Sequence, residues 1–279
     1  MSFAIATIRT IPFPGASVLV CLVACLGGLL GRIIDDLRAP TPTLLLGLSP
    51  LELLVMFFAA RALLQSNEPR EVGAPHIIAG LALLAPSGGL SWIALGAFAS
   101  WRFMFTQGNA RIGFALFAAL ALSQVWMSIG FKILGGYLLP LDAQLAAQTL
   151  SLLGFPTQVV GNVVQVSGGN NIVVLITCAS LHRMPLALLA AVALAVTAPG
   201  ARATLRQLSL IGALAMLGYA ALNLLRLVLM GWSAPVYAFM HDGHGASLYD
   251  AAQTMLVFLV SRVASPAADA EPNTVGKSA

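Results

Sequence analysis

Long apolar runs separated by short polar joints set the rhythm of this chain. Pro14 to Ile34, Leu44 to Leu64, His76 to Phe105 and Ile112 to Phe131 each approach or exceed the roughly twenty apolar residues needed to cross about 30 Å of hydrocarbon. Pro86-Ser87-Gly88-Gly89 interrupts the third run, which reads as one long span or two short ones. After Lys132 the rhythm changes. Pro140 to Gln148 is mixed, and Pro156 to Ile172 reads PTQVVGNVVQVSGGNNI, with β-branched pairs around Gly161-Asn162 and again around Gly168-Gly169-Asn170-Asn171. That spacing predicts a small hairpin or three-strand meander outside the bilayer. The apolar stretch Pro185 to Val196 is too short to span alone, so its helix recruits residues from about Val173 to Met184. Gln207 to Trp232 and Tyr249 to Val263 follow as spans. The fold class expected is an all-α polytopic membrane protein of seven or eight transmembrane helices with a small β-rich extracytoplasmic segment.

Composition agrees with that reading. The 279 residues are 59% hydrophobic and 9% charged, with a mean hydropathy of +0.91, whereas soluble domains carry about 25% charged residues. The net charge of +4 comes from 14 basic residues scattered over loops and helix ends, with no run suited to a nucleic-acid backbone. They read as topology signals. Arg202 and Arg206 form the clearest positive pair beside a span and place that end in the cytoplasm. Cys178, at the far end of the preceding helix, then lies at the outer face. From Arg206 to Arg226 a helix rises about 30 Å, so Arg226 reaches the same level, and the loop with His241, Asp242 and His244 follows on that side.

A thiol, a guanidinium and an imidazole at one membrane face describe an acyl-transfer site. The three cysteines show neither metal-ligand spacing nor a disulfide framework. Cys21 and Cys25, four apart in an apolar run, read as packed residues. Leu22-Val23-Ala24-Cys25 resembles a lipoprotein processing box, but the run continues to Leu30, which favours an uncleaved span. Cys178 is the candidate nucleophile once an adjacent base or positive charge favours its thiolate. His241 would take that proton and return it to a leaving amine. Arg226 would stabilise an oxyanion or hold a carboxylate, although it could equally snorkel to headgroups. His182, four residues after Cys178, would share a helix face with it and is a rival base, with Pro185 perturbing the helix nearby. His241-Asp242-Gly243-His244 as a metal site lacks third and fourth ligands at a familiar spacing. Thiol acyl transfer needs no cofactor, and none is expected.

These residues also resemble a known pattern. Cys178-Ala179-Ser180, then Asn223-Leu224-Leu225-Arg226, then His241 with Gly245 four residues on, preceded by the β-rich Gly161-Asn162-Val163-Val164, is similar in order and placement to the exosortase/archaeosortase family of membrane transpeptidases. The resemblance covers about residues 110 to 263. It implies Cys178 as nucleophile, Arg226 as cationic stabiliser and His241 as general acid/base, with His182, Asn223 and His244 as accessory candidates. Many members read Cys-Ser-Gly and carry Arg four residues after the nucleophile; here Ala179, Ser180 and His182 stand instead. The division expected is N-terminal transmembrane helices over 1–109, a catalytic transmembrane core over 110–264 with its extracytoplasmic segment at 133–172, and, from its polar, small-residue composition, a disordered cytoplasmic tail over 265–279. The implied substrates are secreted proteins with a C-terminal sorting signal. They would be cleaved at the outer face of the bacterial cytoplasmic (inner) membrane and passed to an amine, a lipid or glycan carrier, or water. Two other classes compete: a multi-helix transporter or scaffold in which Arg226 is an ion-pathway charge, and an acyltransferase that uses His241 alone.

Overall fold

The computed structural model describes residues 11–12, 15–39, 45–66, 71–72, 88–198, 200, 203–242 and 244–264. Helix α1 (Ala16–Leu37) is followed by α2 (Pro50–Leu64), α3 (Gly88–Phe105) and α4 (Gly108–Val125). A π turn (Trp126–Gly130) joins α4 to α5 (Phe131–Leu152). A meander of β3 (Thr157–Val160), β4 (Val163–Val166) and β5 (Ile172–Val173) leads through a 3₁₀ turn (Ile176–Cys178) to α6 (Ser180–Thr197). Then come α7 (Leu205–Trp232), α8 (Ala234–Asp242) and α9 (His244–Ala264). Two short strands, β1 (Ile11–Pro12) and β2 (Glu71–Val72), pair antiparallel.

Among the described residues four helices are long and apolar enough to cross a membrane: Ala16–Leu37, the continuous Gly108–Leu152, Ser180–Thr197 and Leu205–Trp232. This supports a membrane protein with several transmembrane helices, on a smaller set than the seven or eight expected. Helix α2, at 15 residues, rises only about 22 Å. It starts at Pro50 instead of Leu44 because Ser49, Pro50 and Glu52 form a capping box with proline in the first turn. Of the ambiguous third run, Gly88–Phe105 is one helix, while His76–Ser87 lies outside the described residues, as does the tail 265–279.

The segment after Lys132 departs furthest from expectation. Instead of an irregular, mixed stretch it is helical to Leu152 in spite of Pro140, so the helix begun at Gly108 runs for 45 residues. One face of α5 buries Phe131, Gly135, Ala143, Ala146 and Leu150, and the opposite face exposes Ile133, Tyr137, Leu141 and Leu145. The meander beyond it has the expected turns: Val160 pairs with Val163 around Gly161-Asn162, and β4 pairs with β5 beyond Gly168–Asn171.

Helices α1 and α2 run antiparallel, and so do α6 and α7. Gly15 lies beside Leu64 while Arg32 binds Glu52, and Gly212 approaches Leu188 while Asn223 binds Ser180. The main core joins α1–α4, α6, α7 and α9. A second, smaller cluster joins α5, the meander and the upper part of α7 around Cys178. Polar groups gather at one end of the bundle. There Glu52, 1% exposed, accepts from Arg32 at 2.7 and 3.0 Å, from Gln124 at 2.7 Å and from the Ser49 amide at 2.9 Å. Arg32 is thus more than a topology signal, since a buried carboxylate requires partners.

Candidate functional site

Cys178 sits in the 3₁₀ turn before α6, outside the helix. Its amide donates to the Leu175 carbonyl at 2.9 Å, and Ala179 in extended conformation then turns the chain into α6. Ala179 has no side-chain oxygen with which to cap the helix. The carboxylate of Asp142 on α5 supplies one, accepting from the Ser180 amide at 2.7 Å.

A second clamp comes from α7. Asn223 Nδ2 donates to the Cys178 carbonyl at 2.7 Å and to Ser180 Oγ at 2.9 Å, while its Oδ1 accepts from the Tyr249 hydroxyl of α9 at 2.9 Å. Asn223 is 3% exposed, so each of these bonds satisfies a group that has lost water. The Cys178 side chain is 5% exposed in the smaller core cluster, and its sulfur has one hydrogen-bond partner among the described residues, Thr177 Oγ1 at 3.9 Å.

The i, i+4 relation between Cys178 and His182 does not hold, because only His182 is on the helix. His182 turns toward the π turn, with Nε2 3.3 Å from the Met127 carbonyl and its ring edge-on to Phe131 at 5.2 Å. The π turn serves this junction twice. Pro185 has no N–H for the Leu181 carbonyl, and Trp126 Nε1 donates to that carbonyl at 3.1 Å.

Arg226 lies about one turn beyond Asn223 on α7. Its Nη2 donates to the Met240 carbonyl at 3.0 Å, its Cζ lies 4.8 Å from the Tyr249 ring centroid, and its Nε is buried without an acceptor among the described residues. Met240 precedes His241, whose ring stacks on Tyr237 at 5.1 Å and 9° near the end of α8. His244 is exposed at the start of α9. Gly245 allows the two helices to meet closely: a Cβ there would lie 2.7 Å from the Phe239 carbonyl and 2.8 Å from Met240 Sδ.

Cys178, Asn223, Arg226 and His241 are therefore on elements linked at one end of the bundle. Neither His182, His241 nor Arg226 is hydrogen-bonded to the sulfur. Sequence reasoning missed Asp142 and Tyr249. A lone acid within the apolar FKILGGYLLPLDAQ was the signal for the first, since such a charge needs a partner. Among the described residues no three His, Cys, Asp or Glu side chains cluster as metal ligands, at His241 and His244 or elsewhere. Comparison with family models, curated proteins and solved structures finds no match to this chain.

Proposed function

We propose that the protein is a membrane-embedded cysteine protease/transpeptidase that cleaves C-terminal sorting signals of secreted proteins at the outer face of a bacterial cytoplasmic membrane. The observation that carries the reading is the double clamp on Cys178, whose flanking amide at Ser180 is held by Asp142 and whose own carbonyl is held by Asn223. A buried structural cysteine has no need of such a frame, whereas a nucleophile must be held to within a fraction of an ångström of its productive position.

In this reading seven described helices, α1–α4, α6, α7 and α9, traverse the bilayer. The meander and α8 lie at the outer end with Cys178. The helix-tethered substrate reaches that level by lateral diffusion. Cys178 as thiolate, its proton taken by His241, attacks the scissile carbonyl carbon, and Arg226, whose buried Nε has no acceptor among the described residues, stabilises the oxyanion. Collapse breaks the C–N bond, and the leaving amine takes a proton from His241. The acyl group remains on sulfur as a thioester until an amine, or a hydroxyl of a lipid or glycan carrier, attacks and regenerates the thiol. Water in that role makes the reaction hydrolysis. Apo geometry in which the sulfur and His241 are not yet hydrogen-bonded is common before substrate closes a site.

The test compares envelope proteins from cells with the native chain and with Cys178→Ala, mapping C-terminal peptides by mass spectrometry. Loss of short tail helices only when Cys178 is present supports the reading. Unchanged processing with a stably inserted variant sinks it.

A further inference from the structure

Strand β3 is one of the two outer strands of the meander, and its edge away from β4, unpaired among the described residues, faces a groove. Which backbone groups point there follows from the ladder. The Val166 amide donates to Asn171 Oδ1 at 2.9 Å, away from β3, so the opposed pair Thr157/Val166 is not hydrogen-bonded. By alternation neither is Val159/Val164. The N–H and C=O groups of Thr157 and Val159 therefore point outward from the sheet, while those of Gln158 and Val160 serve the ladder.

The same two residues line an open groove of about 630 Å³ between β3 and α5, with Gln144, Gln148, Ser151 and Leu152 opposite them. No residue of β4 or β5 contributes to this lining, so the groove runs along the free edge. Its walls carry amides, hydroxyls and apolar carbons, and no charge. Ala147, at its floor, also belongs to the cluster that packs Cys178, and α5 bears both the groove residues and the Asp142 clamp. From β5 the chain needs only Val174 and Leu175 to reach the 3₁₀ turn of Cys178.

We infer that the β3 edge and the facing side of α5 bind an extended, uncharged polypeptide segment by strand addition. Thr157 and Val159 exchange backbone hydrogen bonds with it, and Gln144 and Gln148 contact its side chains. That this segment belongs to the substrate rests on the proposed function, since the groove and the thiol share α5 and a core cluster. A neutral groove disfavours charged peptides, which would lose hydration there without a counter-charge.

The experiment uses the full chain with Cys178→Ala in lipid nanodiscs and, as probe, a randomised pool of capped, uncharged heptapeptides. Retained peptides are sequenced, and amide exchange is followed over residues 155–166. The expected result is enrichment of a subset of peptides, slowed exchange at Thr157 and Val159 when they bind, and at least tenfold lower retention after Val159→Pro. That substitution removes an outward N–H and leaves the β3–β4 ladder donors in place. Slow exchange at Gln158 and Val160 verifies that the ladder survives. Gln148→Trp, which fills the groove without touching the ladder, is expected to lower retention as much. Enrichment no better than with the filled groove, or retention indifferent to Val159→Pro with the ladder intact, overturns the inference. The Cys178→Ala background separates the two questions: binding with unchanged envelope processing removes the thiol chemistry and keeps the docking site, while lost processing without binding does the reverse.

Discussion

The side-chain amide of Asn223 donates to the main-chain carbonyl of Cys178 at 2.7 Å, across 45 residues of sequence. That bond ties the turn before α6 to the middle of the neighbouring helix. The amide is fully used, because Ser180 Oγ takes a second bond and the Tyr249 hydroxyl donates to the amide oxygen.

Asn223→Leu takes one partner each from the Cys178 carbonyl, Ser180 Oγ and the Tyr249 hydroxyl. It is expected to destabilise the protein by about 2 kcal/mol, read as a lower unfolding temperature in detergent. It should also raise the rate at which maleimide modifies Cys178, now 5% exposed. An unchanged rate would mean that the turn is rigid without this clamp.

The ion pair at the same end of the bundle should respond asymmetrically. The Arg32 side chain is 37% exposed and that of Glu52 only 2%, so Arg32→Ala leaves a buried carboxylate without its counter-charge, whereas Glu52→Ala leaves a guanidinium able to reach water. The expected cost is about 3 kcal/mol or more for Arg32→Ala and clearly less for Glu52→Ala. Thermal unfolding of the two purified variants measures the difference; equal losses would refute the assigned burial.

Trp126 and Pro185 should be coupled. Trp126→Phe removes the donor to Leu181, whose carbonyl Pro185 has deprived of its helical partner. In a Pro185→Ala background an amide takes over that bond. A double-mutant cycle is therefore expected to show a coupling of about 1 kcal/mol. Additive effects would mean that water already serves the Leu181 carbonyl.

Gly245→Ala places a carbon 2.7 Å from the Phe239 carbonyl. The α8–α9 elbow must open, at a cost of about 1–3 kcal/mol, and the Met240 carbonyl is expected to leave Arg226. On the proposed function, tail removal in cells should fall severalfold or more while Gly136→Ala, with open space around its Cβ, leaves processing intact.

What the sequence made legible was local. The meander could be read because Gly161-Asn162 and the GGNN stretch punctuate β-branched pairs. The start of α2 was also written there, in Ser49-Pro50-Leu51-Glu52, but apolarity counted from Leu44 obscured it. Hydropathy could not show that α5 continues α4, since Pro140 and the glycines before it look like breakers. A proline's missing bond costs little to a helix whose neighbours hold it, as the Pro185 junction also shows. Nor could periodicity reveal that Cys178 stops short of α6. The turn is fixed by Asp142 and Asn223, both distant in sequence, and local pattern carries no record of long-range hydrogen bonds.

Asn223 and Arg226 both grip carbonyl oxygens, those of Cys178 and Met240. A carbonyl is common to every residue type, so these two contacts make no demand on which side chain occupies position 178 or 240. Inheritance at Met240 can drift freely as far as this contact is concerned, and an alanine at 178 should leave the frame unmoved. What descent must preserve is the number of residues between α7 and α8. An insertion there would misalign the carbonyl while every motif letter stayed in place, so a comparison of letters alone would score the damaged chain as intact.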